Sequence, residues 1–448
     1  MPRLDVSIII PTHNRRDAVA RTLRALSLQV CSRTAFDVVV VADGCSDHTA
    51  ALATGEWPMP VRVLEQSHAG PAAARNRGAA AATGDLLIFL DDDIEVLPGF
   101  VAAHIAAHAP EEALAQPTQV KTEPASPRTA SPRQEHDSVV IGYLPPELQG
   151  RRDLFAVMLR AWWEAMFERM RDPGHRFTYS DLLSGNFSLS RQLFERSGGF
   201  DESLRCHEDY ELGYRLIAAG ARFQFAPAAA GWHHEHTDLA RALRRKHDEG
   251  RADVALARRY PELTSVLPVA RPIAHLTRRG RMLRYLAVAH PGPGDLVEAL
   301  CRKLLGVLET ARLRTRWRRL LDDLLSYWYW RGIGESLGGA SASELTRTPN
   351  HSSALHALDL QRGLTVAAAE IDTVRPQGLS LHWGSLVIGT LPPEPGAEPL
   401  QGRHLRSLLR TRFLTPFRQT LALAHGDPVT SGGAVDQPHA LARLDDRR

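Results

Sequence analysis

Cysteine is scarce in this 448-residue chain. The four cysteines, Cys31, Cys45, Cys206 and Cys301, form no C-x-x-C pair, which argues against a disulfide-stapled scaffold, a thioredoxin-like site and a cysteine-based zinc site. Sparse, unpaired cysteines fit a reducing compartment, and the N-terminus lacks the basic and apolar regions of a secretory signal. We therefore expect a cytoplasmic protein.

Lysine and long apolar runs are scarce as well. Only three of the 54 basic residues are lysine, and the formal net charge of +3 excludes a polycation that neutralises nucleic-acid phosphates, so no nucleic-acid partner is expected. No apolar run reaches the ~18 residues of a membrane-spanning helix. A hydrophobic content of 44% is ordinary for a globular protein. At about 150 residues per domain, the length predicts more than one domain.

Glycine is absent from the loop that follows the first predicted strand, residues 11–15 (PTHNR). A dinucleotide-dependent dehydrogenase would carry G-x-G-x-x-G there, so that the backbone could approach a pyrophosphate. A P-loop and the loop of a sugar nucleotidyltransferase would also need glycines. The sequence therefore excludes these three classes.

Strand-like and helix-like segments alternate over the first hundred residues. Short apolar runs predict strands, and longer segments with one apolar stripe predict helices. The predicted strands are 6–10, 38–41, 61–64 and 86–90, and the predicted helices are 15–29 and 72–82. Alternation at this spacing predicts an α/β fold with a doubly wound, mostly parallel sheet.

Three consecutive acids, Asp91, Asp92 and Asp93, follow the fourth predicted strand. In an extended chain, residues i and i+2 point the same way, so we expect Asp91 and Asp93 to share a face. Adjacent carboxylates repel one another unless a cation or hydrogen-bond donors compensate, and a hard divalent ion is a common solution. A surface acidic turn, or a cap for the helix after Pro98, explains the same residues equally well.

Motifs in one order and spacing over residues 4–260 resemble family 2 glycosyltransferases with the GT-A fold. The first half contributes residues 7–15, 39–49, 69–84 and 85–93. The second half contributes the segments 185–191 (GNFSLSR), 198–202 (GGFDE), 207–212 (HEDYEL) and 227–236, which ends in histidines.

The resemblance implies a metal-dependent, inverting glycosyltransferase that uses a nucleoside-diphosphate sugar, with a UDP-sugar as first choice. The acceptor would be a carbohydrate, a lipid-linked intermediate or another cell-envelope precursor, as in polysaccharide biosynthesis. The donor-binding residues that it implies are Pro11, Thr12, Asn14, Asp43, Arg75, Asp91 and Asp92. Without the surrounding motif, Arg75 would be interpreted as a solvated helix residue.

The resemblance also implies a metal site and a general base. Mn²⁺ or Mg²⁺ would be held by Asp91, Asp93 and His233, with His234 and His236 as competitors for the last position. Imidazole suits Mn²⁺ better than Mg²⁺. Asp209 would be the general base, and Glu208 is the second candidate. Acids at the start of a predicted helix also have a simpler explanation, since they complement the helix dipole.

The predicted organisation follows from composition and from the extent of the resemblance. The segments are a nucleotide-sugar-binding half (1–115), a flexible loop (116–136), an acceptor and catalytic half (137–265), an Arg-rich helical extension (266–340), a linker (341–353), a small α/β or β module (354–424) and a disordered tail (425–448). Within the module, residues 364–368, 379–382 and 386–388 are predicted strands.

Residues 271–331 carry a net charge of +8 and four neighbouring aromatic residues, Trp317, Trp328, Tyr329 and Trp330. Arginine beside aromatic residues suits an interfacial helix, so a peripheral contact with the inner face of the membrane is one hypothesis. A pair of helices packed on the catalytic domain is the other. Two further alternatives for the whole chain are a catalytically silent sugar-nucleotide-binding protein and an adaptor at a membrane surface.

Overall fold

The structure is a computed structural model. It describes residues 5–29, 36–109, 137–148, 150–151, 153–270, 277–338 and 355–425. The predicted loop at 116–136 and the predicted linker at 341–353 lie outside these ranges, as does the predicted tail beyond residue 425.

The chain divides into two compact units. The first comprises Met1–Phe167 and Tyr179–Arg347, and the second comprises Glu168–Thr178 and Thr348–Arg448. The first unit contains the large sheet, and the second contains a three-stranded sheet.

In the described part of the first unit, nine strands form the large sheet. They are β1 (Val6–Thr12), β2 (Phe36–Asp43), β3 (Val61–Gln66), β4 (Leu86–Leu90), β5 (Ile94–Val96), β6 (Ser138–Tyr143), β7 (Pro146–Glu147), β8 (Asn186–Ser190) and β9 (Arg222–His234). Their order is β3-β2-β1-β4-β8-β6-β9-β5, with β7 paired to β9.

The first four strands are mutually parallel, and β8 runs antiparallel to β4 and β6. Ile8, Ile9 and Ile10 of β1 are fully buried, as expected for a strand covered on both faces. The alternating pattern therefore predicted the α/β class and the mostly parallel sheet correctly.

Helices cover the sheet and extend the first unit beyond it. In the described ranges they are α1 (Arg16–Ser27), α2 (Pro71–Ala81), α3 (Phe100–Ala107), α4 (Leu154–Arg171), α5 (Arg191–Arg196), α6 (Glu208–Ala218), α7 (Leu239–Arg259), α8 (Arg278–Ala289), α9 (Pro291–Thr310) and α10 (Arg314–Leu337). The last residues of α4 belong to the second unit. Both predicted helices of the first hundred residues are confirmed by α1 and α2.

The aromatic residues of α10 are mostly core residues. Trp317, Tyr329 and Trp330 are buried, and Trp328 is partly buried against the same clusters. They pack on α7 and α8 through Val254, among others. Of the two hypotheses for these aromatic side chains, packing between helices therefore fits them and contact with a lipid surface does not, because burial in the core leaves them no access to one.

The second unit has its own core. Its elements in the described ranges are β10 (His356–Asp359), α11 (Leu364–Val374), β11 (Leu379–Trp383), β12 (Leu386–Leu391), α12 (Gly402–Thr411) and α13 (Leu414–His425). The predicted strands at 379–382 and 386–388 are confirmed. The predicted strand at 364–368 is wrong, because Leu364, Ala367 and Ile371 are buried on one face of a helix. That period of three to four residues is not visible in a five-residue window.

Candidate functional site

The carboxyl ends of β1 and β4 meet at one edge of the sheet, because the two strands are parallel neighbours. Thr12 Oγ1 donates a hydrogen bond to Asp92 Oδ2 at 2.7 Å. Arg15 donates from Nη1 to Asp92 Oδ1 at 2.8 Å and from Nη2 to Asp93 Oδ2 at 2.7 Å. The sequence-based predictions omitted Arg15. Its position in the loop after β1, beside a strand that ends in three acids, is the signal that could have identified it.

The two buried acids that Arg15 contacts, Asp92 and Asp93, have pKa values shifted in opposite directions. Burial raises the pKa of Asp92 to about 7, against the opposing charge of Arg15. Burial also acts on Asp93, but contacts with His233 and Arg15 outweigh it and hold the pKa of Asp93 well below its usual range. Of these two acids, Asp93 is therefore the one that the fold holds as an anion at neutral pH.

Strand pairing brings His233 to Asp93. Ile94 of β5 is opposite His233 of β9 in an antiparallel pair, and His233 Nε2 lies 3.5 Å from Asp93 Oδ1. His233 Nδ1 is buried and has no hydrogen-bond partner among the described residues, with Glu235 Oε2 4.0 Å away. Burial favours the neutral ring, but the contact with Asp93 raises the pKa of His233 above its ordinary value.

The two competing histidines are placed differently. His234 Nε2 is 2.9 Å from Glu95 Oε2, and the side chain of His236 is exposed. Within the described ranges, no group of three or more His, Cys, Asp or Glu side chains has the arrangement of a metal site. Of the three predicted ligands, the structure thus brings Asp93 and His233 together and leaves Asp91 with other partners.

Asp91 is half-buried and belongs to an ion-pair network centred on the buried Arg75. Arg75 Nη2 donates to Asp91 Oδ1 at 2.8 Å, and Arg75 Nη1 donates to Glu208 Oε1 at 2.9 Å. Its guanidinium also lies 5.5 Å from the ring centroid of Phe200. Arg75 is only 4% exposed, so its interpretation as a solvated helix residue is wrong. The expectation that Asp91 and Asp93 share a face fails too, because β4 ends at Leu90 and the acids enter a turn.

Because Gly185 has no side chain, the Asp91 carboxylate can lie against its backbone. A Cβ at Gly185 would lie 2.8 Å from Asp91 Oδ2, and the Gly185 carbonyl accepts a hydrogen bond from the Asp91 N–H at 3.1 Å. Leu90 pairs with Asn186 in the antiparallel contact of β4 with β8. The glycine of the GNFSLSR segment is therefore needed for close approach to the acids of β4.

Asp209 lies beside Glu208 in the first turn of α6. The Ser184 N–H and hydroxyl each donate to Asp209 Oδ2 at 3.3 Å, and the Tyr210 N–H donates to Oδ1 at 2.9 Å. Asp209 is half-buried, whereas Glu208 is buried. Burial and the neighbouring Asp209 charge raise the pKa of Glu208, while Arg75 opposes the shift. Asp209 is thus the more accessible acid of the two.

Asp43 at the end of β2 organises the neighbouring loop. Its carboxylate accepts hydrogen bonds from the backbone N–H groups of Ala69 at 2.7 Å and Gly70 at 2.9 Å, and from Gln66 Nε2 at 2.9 Å. Burial opposes ionisation, but these hydrogen bonds and the contact with His68 lower the pKa of Asp43. The anion therefore fixes the turn that leads into α2.

Asn14 has a left-handed backbone with φ of +53°. Its side-chain Oδ1 accepts a hydrogen bond from the Ser46 N–H at 2.7 Å, and its own N–H contacts Cys45 Sγ at 3.2 Å. Pro11 is paired with Val41 in the β1–β2 register. Pro11, Asn14 and the loop after β2 thus form one side of the edge on which Thr12 and Asp92 lie.

The fold and this arrangement can be compared with known proteins. A family model described as glycosyl transferase family 2 matches residues 7–198, which include the three acids of β4 but not Asp209 or His233. The chain is 30% identical over 325 residues to the succinoglycan biosynthesis protein ExoO of Rhizobium meliloti, covering 68% of this chain and 81% of that protein.

Two other relatives are named as glycosyltransferases. Validoxylamine A glucosyltransferase of Streptomyces hygroscopicus is 34% identical over 232 residues, covering 48% of this chain and 52% of that protein. Pre-mycofactocin glycosyltransferase of Mycobacterium tuberculosis is 28% identical over 268 residues, covering 59% and 50%. The chain therefore spans about half the length of these two relatives.

Among solved structures, the mannosyltransferase PcManGT from Pyrobaculum calidifontis, in complex with GDP-Man and Mn²⁺, aligns with a TM-score of 0.45 and 17% identity. The alignment covers 76% of this chain and 88% of that one. On the family match and on the extent of the alignment with the Rhizobium protein, this chain belongs to glycosyl transferase family 2.

Proposed function

We propose that the protein is a metal-dependent, inverting glycosyltransferase that moves a sugar from a nucleoside-diphosphate donor to an acceptor hydroxyl. One observation carries the proposal: the buried Arg75 binds both Asp91, which follows β4, and Glu208, which is next to Asp209. Residues of the predicted donor half and of the predicted acceptor half therefore converge on one place. A bond between donor and acceptor can form only where both are held together.

The donor would lie along the edge formed by the strand ends. Pro11, Thr12, Asn14 and Asp43 would border the nucleoside, with the hydrogen-bonded Asp43 turn as its rigid wall. Arg15, already directed at Asp92 and Asp93, and Arg75 supply guanidinium groups, which suit the oxygens of a diphosphate.

Asp93 and His233 fit a divalent ion. Ligand distances of about 2.1 Å would place two neighbouring ligands of an octahedral ion about 3 Å apart, and Asp93 Oδ1 and His233 Nε2 are separated by 3.5 Å. A Mg²⁺-type ion is often bound by one or two protein ligands together with substrate phosphates, so the absence of a three-residue cluster among the described residues is compatible with this site. When bound, Mn²⁺ or Mg²⁺ offsets negative charge on the departing diphosphate.

Asp209 would act as the general base. The acceptor oxygen bonds to C1 of the donor sugar, the bond from C1 to the diphosphate oxygen breaks with its electron pair, and the hydroxyl proton passes to the Asp209 carboxylate. Attack from the face opposite the leaving group inverts the configuration at C1. Ser184 and the Tyr210 N–H hold the carboxylate in one orientation, which serves a directional proton transfer.

The acceptor is the remaining part of the proposed reaction. The names of the relatives mention three different compounds: succinoglycan, validoxylamine A and pre-mycofactocin. For this chain we propose a carbohydrate or a lipid-linked cell-envelope precursor, as in polysaccharide biosynthesis.

Donor identity can be tested by thermal unfolding with UDP-, GDP- and dTDP-sugars in the presence of Mn²⁺. A ligand at ~100 times its Kd adds ~2.7 kcal/mol to the free energy of unfolding, so we expect one base, with UDP as first choice, to raise Tm clearly above the other two. No shift with any of the three would contradict the donor class. Turnover with the selected donor then separates an enzyme from a catalytically silent binder.

A membrane contact is the second part of the proposal, and its supporting feature is the outward face of α9. Leu296, Leu300, Leu304 and Val307 recur at spacings of three and four residues and are 47% to 67% exposed, whereas Leu305 on the opposite face is buried. An outward apolar stripe of this kind is unusual for a helix that packs on one side only.

The charge beside the stripe supports an anionic lipid surface as its partner. Seven basic residues and one acid occupy residues 302–319, and all seven basic side chains are exposed. An apolar stripe bordered by arginines and lysine complements a bilayer that contains anionic lipids. No helix in the described ranges has the length and apolar character needed to cross a membrane. We therefore propose peripheral docking of α9, at the inner face of the membrane.

Vesicle co-sedimentation tests this docking. We expect the protein to bind vesicles of phosphatidylcholine with phosphatidylglycerol, to bind less at high salt and to bind weakly to phosphatidylcholine alone. Leu300→Ser with Leu304→Ser should lose binding, whereas Leu28→Ser, at a leucine that is 70% exposed at the end of α1, should retain it. Equal binding of both variants, or salt-independent binding, would contradict docking through α9. If the paired variant instead abolishes self-association in sedimentation velocity, the stripe binds a second copy.

A further inference from the structure

A second polar network begins two residues before the proposed base and joins the start of α6 to two other helices. His207 immediately precedes α6, Asp253 belongs to α7 and Tyr329 belongs to α10. His207 Nδ1 is 3.0 Å from Asp253 Oδ1, and the Tyr329 hydroxyl donates to Asp253 Oδ2 at 2.6 Å. Both oxygens of Asp253 are thus engaged, and Asp253 is only 2% exposed.

The network determines how His207 is held. A carboxylate only accepts hydrogen bonds, so the proton of this contact resides on His207 Nδ1. Burial disfavours the charged imidazole, but the hydrogen bond that His207 donates to the Asp253 carboxylate raises the pKa of His207. The His207 ring also stacks on Tyr210, with centroids 4.3 Å apart. The imidazole is therefore fixed from two sides.

The backbone of His207 needs such support. Its φ is +59°, a left-handed conformation that residues other than glycine adopt at an energetic cost. His207 occupies the N-cap position of α6, yet its side chain makes no capping hydrogen bond to that helix. Instead of capping α6, the His207 side chain donates its hydrogen bond to Asp253. The next two residues in the chain are Glu208 and Asp209, so the direction in which α6 presents them depends on this backbone turn.

The helices that supply the network are in backbone contact. A Cβ at Gly250 of α7 would lie 2.1 Å from the Tyr329 carbonyl oxygen, and a Cβ at Gly332 of α10 would lie 2.0 Å from the His247 carbonyl oxygen. Reciprocal glycines thus let α7 and α10 cross at minimal separation. Tyr329 and Asp253 lie at this crossing, so the hydroxyl that orients Asp253 rests on a rigid support.

We propose that Tyr329, Asp253 and His207 are positioning residues of the transfer reaction, through which helix α10 sets the orientation of Asp209. The inference rests on the proposed function, since it assumes that Asp209 is the base. Tyr329 lies beyond the residues that the family model matches, and it acts on the reaction only through Asp253 and His207. The helical extension thereby becomes part of the catalytic apparatus.

The decisive comparison is between two phenylalanine variants of α10. Tyr329→Phe removes the hydrogen bond of 2.6 Å to Asp253 of α7. Tyr327→Phe, on the same helix as Tyr329, removes an equally short hydrogen bond to Asp295 of α9. A small misplacement of a reacting group can cost up to about 100-fold in rate. We expect Tyr329→Phe to lower kcat by about tenfold or more with an unchanged donor Kd, and Tyr327→Phe to leave kcat unchanged. Asp253→Asn should behave like Tyr329→Phe.

A pair of variants at His207 supplies a rescue. Asparagine tolerates the left-handed region better than alanine does, and its amide can donate to Asp253. We therefore expect His207→Asn to retain more of kcat than His207→Ala. Thermal unfolding of every variant identifies any that fail to fold. If a His207 variant fails to fold, the comparison of Tyr329→Phe with Tyr327→Phe still tests the proposal, because each removes only a hydroxyl group.

The outcomes distinguish a failure of the positioning role from a failure of the proposed function. If Tyr329→Phe keeps normal kcat while Asp209→Asn is inactive, the positioning role is overturned and the proposed function stands. If Tyr327→Phe and Tyr329→Phe lower kcat equally, the effect is one of general stability, and the inference is again overturned. A normal rate for Asp209→Asn would overturn the base assignment, whatever the two phenylalanine variants do.

Discussion

Asp209→Asn should abolish sugar transfer while donor binding stays nearly normal. The substitution preserves the size of the side chain and leaves one oxygen to accept from Ser184 or from the Tyr210 N–H, but an amide cannot accept the acceptor proton at neutral pH. General-base catalysis contributes about 10²–10⁴-fold, so turnover should fall by at least about 100-fold. Single-turnover transfer from labelled donor, measured beside donor affinity, provides the test.

The matched control for this variant is Asp238→Asn. Asp238 also lies at a helix N-terminus, where its Oδ1 accepts a hydrogen bond from the Arg241 N–H at 2.7 Å. If Asp209 only complements the dipole of α6, the two variants will show the same small loss of stability and near-normal turnover. In that case the search for the base moves to Glu208, and Glu208→Gln becomes the informative variant.

Removal of the divalent ion should weaken donor binding, and Asp93→Asn should reproduce the effect. The contacts of Asp93 hold its pKa well below the usual range, and its Oδ1 faces His233. Loss of an outer-shell partner typically costs about 10–100-fold in metal affinity, so loss of a direct ligand should cost at least as much. Calorimetric titration of UDP with Mn²⁺ and with EDTA measures the effect on binding directly.

Two histidine variants assign the second ligand. His233→Gln should lower the affinity for Mn²⁺, whereas His234→Gln should leave it unchanged, because His234 is paired with Glu95. Thermal unfolding without metal checks that the variants are folded, which matters for Asp93→Asn because this variant also loses an ion pair with Arg15. Equal UDP affinity with Mn²⁺ and with EDTA would refute the metal assignment.

Much of the fold could be predicted because it depends on local patterns. The short apolar runs of β1 to β4 and the apolar stripe of α1 are each visible within one segment of the chain. A short segment does not show its period, and for this reason the prediction of a strand at 364–368 is wrong for the first turn of α11. The sequence left two alternatives open for Trp317, Tyr329 and Trp330 of α10, because aromatic residues near arginines are typical of both a membrane interface and a packed core.

The α/β class, the family resemblance and the residue types available for chemistry can be inferred from the sequence, because they depend on local periodicity and on motifs contiguous in the chain. Which of those residues meet depends on the three-dimensional fold. Arg75 and Glu208 are 133 positions apart, and His233 reaches Asp93 only through the pairing of β9 with β5. Burial is the physical reason that these meetings matter: away from water, Arg75 and Asp93 must be paired with opposite charges, and the identity of those partners is a property of the fold.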